Sequence, residues 1–274
     1  MRNKYGAKTL VAEIFVCILA LLFVMPLFFV VTTSLKPKEE IFTNIMTMPS
    51  HPEWGNFDYV WKAGVGESFG HSLVITLCSV VCLVVIGSMC AYVLARRTGR
   101  FSSGIYYMFM VGIIMPFQLS IVPLYVAFQR VGLAGTMLGM IVLWVGVFMP
   151  LTIILYTSFI RQLPKEYEEA ARIDGARTLR IFFRVIFPLL RPVTGTVAII
   201  TGLFIWNDFF ASVIFLGGSK YQTLPVAIYS FVGQYISKWN LVFAAILVAI
   251  VPFIIFFIAT QKQMIKGFAG GMKG

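Results

Sequence analysis

RQLPKEYEEAARIDGARTLRIFFRVIFPLLRP, Arg161 to Pro192, is the one long polar interruption in a chain that is otherwise largely oil. It carries seven of the 22 basic residues (Arg161, Lys165, Arg172, Arg177, Arg180, Arg184 and Arg191). It also carries four of the 11 acids, Glu166, Glu168, Glu169 and Asp174. What surrounds it decides the fold class. The chain is 59% hydrophobic and 12% charged, against roughly 45–50% and about 25% for soluble domains. Its mean hydropathy is +0.89. The composition points to an all-α integral membrane protein, because a segment in lipid must satisfy its backbone groups internally.

Charge-free runs on both sides of the stretch place six transmembrane helices at about residues 12–35, 69–95, 103–128, 136–160, 192–216 and 239–261. Each is near the roughly 20 residues needed to cross a bilayer. They form a single transmembrane domain over residues 1–274, with the polar loop at 161–191 between spans four and five. The first run, Ile14 to Leu35, is longer than a signal-peptide core and lacks a small-x-small cleavage site before its end, so it reads as an uncleaved span. Spans three and four are separated only by Arg130 and a turn containing Gly132 and Gly135, which makes them a tight hairpin.

An even number of spans puts both termini on one side. That side collects 16 Lys and Arg, and the other six. The bias places the N and C termini and the polar stretch in the cytoplasm. It also accounts for the net charge of +11 without nucleic acid as a partner. Cys17, Cys78, Cys82 and Cys90 sit in apolar runs with neither His51 nor His71 at ligand spacing. They read as packed thiols, and no metal site is expected.

Within the polar stretch, Pro164 can open a helix whose first turn holds Glu166, Glu168 and Glu169 at the positive end of the dipole. Gly175 is the natural left-handed stop. A second helix from about Ala176 to Phe187 puts Arg177, Arg180 and Arg184 on one stripe and Leu179, Phe182, Phe183 and Ile186 on another. The arginine stripe suits membrane lipid headgroups. The first helix, with two alanines beside an acid, instead offers a low-relief surface for another protein.

Glu169-Ala170-Ala171, three residues, Gly175, nine residues and Val185-Ile186-Phe187-Pro188 resemble the EAA loop of binding-protein-dependent ABC importers. Val185 and Phe187 stand where the family pattern has Ile and Leu. LPKEYEEAARIDGA, WNDFFASVIF (206–215) and the ending QKQMIKGFAGGMKG resemble the carbohydrate-uptake branch, in particular its smaller six-span permease of maltose-transporter type. The resemblance covers essentially the whole chain. It implies a multi-pass permease in the cell membrane of a bacterium, importing sugars or oligosaccharides. The implied partners are a homologous second permease, two ATPase subunits and an extracellular solute-binding protein, which the outer loops would receive.

The chain has no G-x4-GK-[ST] phosphate loop. By the resemblance, MgATP belongs to the partner ATPase, and this subunit is not an enzyme and holds no cofactor. The resemblance further implies that Glu169, Ala170, Ala171, Asp174 and Gly175 couple to that ATPase. Glu169 would make the polar contact, the alanines would allow close approach, and Gly175 would aim the helix.

For the substrate path the candidates are Trp206, Asn207, Asp208 and Gln118. Asp208 is the sole acid in the middle of a span, and such a charge should face a cavity or a partner. Beside Asn207 and Trp206 it suits sugar hydroxyls and ring stacking, or it pairs with a polar residue of the second permease. Gln118 follows the kink at Pro116 and reads as either a substrate contact or packing between helices. A proton-coupled transporter using Asp208, or a membrane scaffold, would leave the EAA spacing unexplained.

Overall fold

The computed structural model describes residues 7–41, 47–97, 99–233 and 238–271. The tail before residue 7, Thr98, parts of the two polar connections (42–46 and 234–237) and the end of the basic C-terminal tail lie outside the described residues. Among the described residues, the longer elements in chain order are α1 (Ala7–Ser34), α2 (Gly55–Arg96), α3 (Arg100–Ile114), α4 (Phe117–Arg130), α5 (Met137–Gln162) and α6 (Glu166–Ile173). They continue with α7 (Thr178–Leu189), α8 (Arg191–Trp206), α9 (Phe210–Leu216), α10 (Leu224–Tyr229) and α11 (Trp239–Gly271). No strand occurs among them.

Two compact units emerge, Met1–Glu67 with Ala227–Lys266, and Ser68–Val226 with Gly267–Gly274. In the first, α1 leaves its most apolar stretch wholly unburied by the chain itself, a surface suited to lipid or to another subunit. What fixes this unit is a buried carboxamide knot. Asn56 Nδ2 donates to the carbonyls of Ser34 (2.9 Å) and Lys36 (3.1 Å), just where α1 ends. Asn240 Nδ2, at the start of α11, donates to Asn56 Oδ1 at 3.1 Å. Two amides thereby supply the donors that the last carbonyls of a helix lack.

The second unit is built on α5. The last segment of α2 (Ser88–Arg96), α3, α8 and α9 all pack against it. One buried cluster joins Ile75, Leu83, Met140, Trp144, Ile205 and Phe215. Another, near the polar stretch, joins Tyr92, Tyr156, Ile160, Phe182, Ile186 and Val197. Close approach is set by Gly87, in a π turn at Leu83–Gly87, where a Cβ would run into the Thr152 side chain. The expected α4–α5 hairpin is present, with Gly132 (φ +71°) and Gly135 (φ +76°) left-handed in the turn. Thr136 caps α5 by accepting from the Gly139 N–H at 2.9 Å. Gly139 has to be glycine because a Cβ would meet the Leu133 carbonyl within that turn.

Three expected spans differ in shape. The third bends by 91° between α3 and α4 at Met115–Pro116, since Pro116 cannot donate into the helix. The fifth is broken at Asn207–Phe209, between α8 and α9. The sixth helix continues past residue 261 to Gly271. The cysteines also differ from the reading as packed thiols. Cys17, Cys78 and Cys90 are exposed on the chain's own surface, and only Cys82 is partly covered.

Gly87→Ala should lower the melting midpoint of the purified protein in detergent, because Thr152 must give way. Adding Thr152→Ala should recover most of that loss, since it removes the methyl group that a Gly87 Cβ would strike.

Candidate functional site

The polar stretch folds as a short helix, an elbow and a second helix. α6 begins at Glu166, two residues after Pro164, with Lys165 as its cap and Glu166, Glu168 and Glu169 in its first turn. Its end is a complete Schellman motif. The Ala176 N–H donates to the Ala171 carbonyl at 2.9 Å and the Gly175 N–H to the Arg172 carbonyl at 2.9 Å. Gly175 holds φ +79°, a conformation costing another residue about 1–2 kcal/mol. Asp174 is the helical C-cap, exposed beside it.

The faces of α6 divide sharply. Glu169 and Ala170 are exposed, with Glu166, Tyr167 and Arg172. Ile173 is 87% exposed, an apolar side chain standing in the open. Ala171 turns the other way and packs against the cluster around Tyr92 and Phe182. Glu168 is only 4% exposed. Arg96 Nε donates to its Oε1 at 2.6 Å and the Tyr92 hydroxyl donates to its Oε2 at 2.8 Å. Arg96 also donates through Nη2 to the Leu163 carbonyl at 3.0 Å, on the approach to α6. Removing one partner of a buried ion pair costs about 3–5 kcal/mol, because the other charge is left uncompensated. At the end of α5, the Arg161 guanidinium lies over the Tyr106 ring of α3, 4.7 Å from its centroid.

Neither Glu168, Tyr92 nor Arg96 was singled out by the sequence. Arg96 counted only as one of the charges that orient the membrane helices. Tyr92 and Arg96, four apart at the end of an apolar run, share a helix face, and that spacing was the available signal. Ile173 and Tyr167 were likewise unmarked, because exposure of one apolar residue beside another buried one is not a periodicity.

The second helix, α7, departs from the expected stripes. Ile181, Phe182 and Ile186 are buried, while Leu179 and Phe183 are exposed with Arg177, Arg180 and Arg184. The cause is a π turn over Phe182–Ile186, which adds a residue to the helical turn and rotates the apolar face relative to a 3.6-residue count. α7 is therefore seated in the protein core as well as presenting a basic face.

The residues proposed for the substrate path take up structural positions at helix breaks. Trp206 is buried, with its ring edge-on to Phe69 at 5.5 Å. Asn207 is exposed and its Nδ2 donates to the Leu203 carbonyl at 2.8 Å, closing the end of α8. Asp208 opens α9: its carboxylate accepts from the N–H groups of Ala211 (3.1 Å) and Ser212 (2.8 Å) and from the Ser212 hydroxyl (2.9 Å). Its charge is thus met by donors from its own chain. Gln118 lies exposed in the 3-10 turn after Pro116. Its neighbour Phe117 packs on the cluster that holds Trp144 and Ala211, so the two helix breaks share one core.

If Asp208 serves as the cap of α9, Asp208→Asn and Asp208→Ser should melt near the parent protein in detergent. Asp208→Ala should lose about 0.5–2 kcal/mol. Equal losses in all three variants would mean that the charge itself is required.

Residues 83–267 match the family model described as binding-protein-dependent transport system inner membrane component. The melibiose/raffinose/stachyose import permease protein MelC of Bacillus subtilis is 38% identical over 273 residues, 99% of each chain. The multiple sugar-binding transport system permease protein MsmG of Streptococcus mutans is 33% identical over 255 residues, 92% of each. The probable starch degradation products transport system permease protein AmyC of Thermoanaerobacterium thermosulfurigenes is 31% identical, over 99% of this chain and 98% of that one. The fold is similar to a bacterial ABC transporter involved in the import of the acidic polysaccharide alginate, with a TM-score of 0.82 and 20% identity over 94% of this chain and 98% of that chain. The matched stretch contains the whole of α3 to α9, the EAA helix and its elbow included, and the chain belongs to the family of binding-protein-dependent transport system inner membrane components.

Proposed function

We propose that this chain is the permease subunit of an ATP-driven importer of sugars or oligosaccharides. It crosses a bacterial cell membrane six times with both termini in the cytoplasm, as a single transmembrane domain. The reading rests above all on α6: an EAA helix in a membrane protein, ending in a glycine elbow and holding Glu169, Ala170 and Ile173 out from the body. A separate ATPase subunit receives that face. Glu169 supplies the polar contact, Ala170 the close approach, and Asp174 with Gly175 the angle. Ala171, packed inward, acts as the hinge-side contact between α6 and the permease core.

The full complex pairs this chain with a homologous permease, two ATPase subunits and an extracellular solute-binding protein. ATP closes the ATPase pair, α6 moves with it, and the membrane helices expose their path to each side in turn. Chemistry on ATP stays with the partner. The sugar relatives support a carbohydrate as the cargo. The helix breaks at Pro116–Gln118 and Asn207–Asp208 are where non-helical backbone at membrane depth would line that path.

Uptake of labelled melibiose, raffinose, stachyose and maltose by cells carrying or lacking the gene tests the cargo. Loss of uptake of at least one sugar on deletion is expected, whereas unchanged uptake of every sugar would move the cargo outside this class. Glu169→Lys and Gly175→Asp should each cut uptake at least tenfold with the subunit still in the membrane. Full uptake in either variant would remove α6 from the coupling role.

A further inference from the structure

One buried ion pair stands out among the described residues. Among the described residues two ion pairs are found, and the other, Lys62–Asp58, is a solvent-exposed pair one turn apart on a single helix. The Arg96–Glu168 pair is different in kind. Its side chains are 13% and 5% exposed, and its partners lie 72 residues apart in the chain. Both carboxylate oxygens of Glu168 are engaged, Oε1 by Arg96 and Oε2 by Tyr92. The other arm of the Arg96 fork holds the Leu163 carbonyl. Arg96 therefore grips the chain both before α6 and within its first turn.

We propose that Arg96, Tyr92 and Glu168 form a clasp that makes Ser88–Arg96, the last segment of α2, move as one body with α6. The inference rests on the coupling role given to α6 above. The hydrophobic effect is non-directional, so an apolar contact by itself sets no preferred orientation. A guanidinium fork on a carboxylate has a fixed geometry, and displacing it uncovers charge in a dry place. A displacement of α6 is then delivered straight to α2, in parallel with the covalent route through Gly175, α7 and α8. The surroundings keep the clasp dry: the Tyr92 ring meets Phe182 of α7 at 5.4 Å, and Tyr156 and Ile160 of α5 line the same cluster. Because α2 packs on α5 through the Gly87–Thr152 approach, the motion passes on to the hub of the unit.

Tyr92, Arg96 and Glu168 are positioning residues, and their signature is the amount of sugar moved per ATP. The full complex is reconstituted in proteoliposomes, and raffinose uptake and ATP hydrolysis are read in the same vesicles. Glu168→Gln keeps the shape and removes the charge, Tyr92→Phe removes one hydroxyl, and Arg96→Lys keeps the charge and loses the fork. Each should assemble and hydrolyse ATP within about twofold of the parent. Raffinose per ATP should fall about tenfold in Glu168→Gln and Arg96→Lys and severalfold in Tyr92→Phe. The Tyr92→Phe/Glu168→Gln pair should be no worse than Glu168→Gln alone, as members of one unit are non-additive. An unchanged ratio would overturn the clasp, and so would uptake and hydrolysis falling together, which marks a folding brace.

A second measurement needs no sugar. Spin labels at Arg97→Cys and Lys165→Cys, with the native cysteines replaced by serine, should report one distance in the nucleotide-free and vanadate-trapped complex. That distance should become state-dependent when Glu168→Gln is added. A distance that already changes between states in the parent overturns the proposal. Glu169→Lys, run alongside, separates the two ideas: intact uptake there removes the coupling role of α6, whatever the clasp variants do.

Discussion

A peptide group carried into hydrocarbon has no water to bond to, and that constraint shapes this protein from end to end. It explains why every regular element found among the described residues is a helix. It explains equally what happens where the helices stop. At the break in the fifth run, Asn207 closes α8 on the Leu203 carbonyl and Asp208 supplies acceptors to two N–H groups of α9. At the end of α1, Asn56 and Asn240 do the same for the carbonyls of Ser34 and Lys36. These four polar side chains are placed where backbone would otherwise be orphaned.

The polar stretch obeys the same rule in reverse. It is polar enough to leave the membrane, yet it does not fold as a free loop. Three devices stiffen it: the Schellman closure at Gly175, the burial of Ile181, Phe182 and Ile186 in the body of the unit, and the ion pair of Glu168 with Arg96. Adjacent acids on α6 thereby have opposite fates. Glu168 is drawn inward to Arg96 and Glu169 is left outward, and it is this split that gives α6 one anchored face and one free face.

The substrate question changes character as well. A carboxylate in the middle of a span invites a ligand, but Asp208 has three donors from its own α9 segment. Trp206 has its ring against Phe69. A path along this region would be formed by the backbone and surfaces exposed at the break, with Asp208 keeping that break open.

The sequence by itself determined the helical membrane class, the hairpin between α4 and α5 and the glycine elbow of the EAA helix. It also carried the family. Those features are local: charge-free runs, turn residues and fixed spacing declare themselves without a partner. The tertiary structure decided the 91° bend after α3, the rotated face of α7 and the contrary roles of Glu168 and Glu169. A π turn shifts a stripe by a residue that no periodicity count anticipates. Which of two neighbouring acids is buried depends on an arginine 72 positions away, and only packing brings that charge within reach.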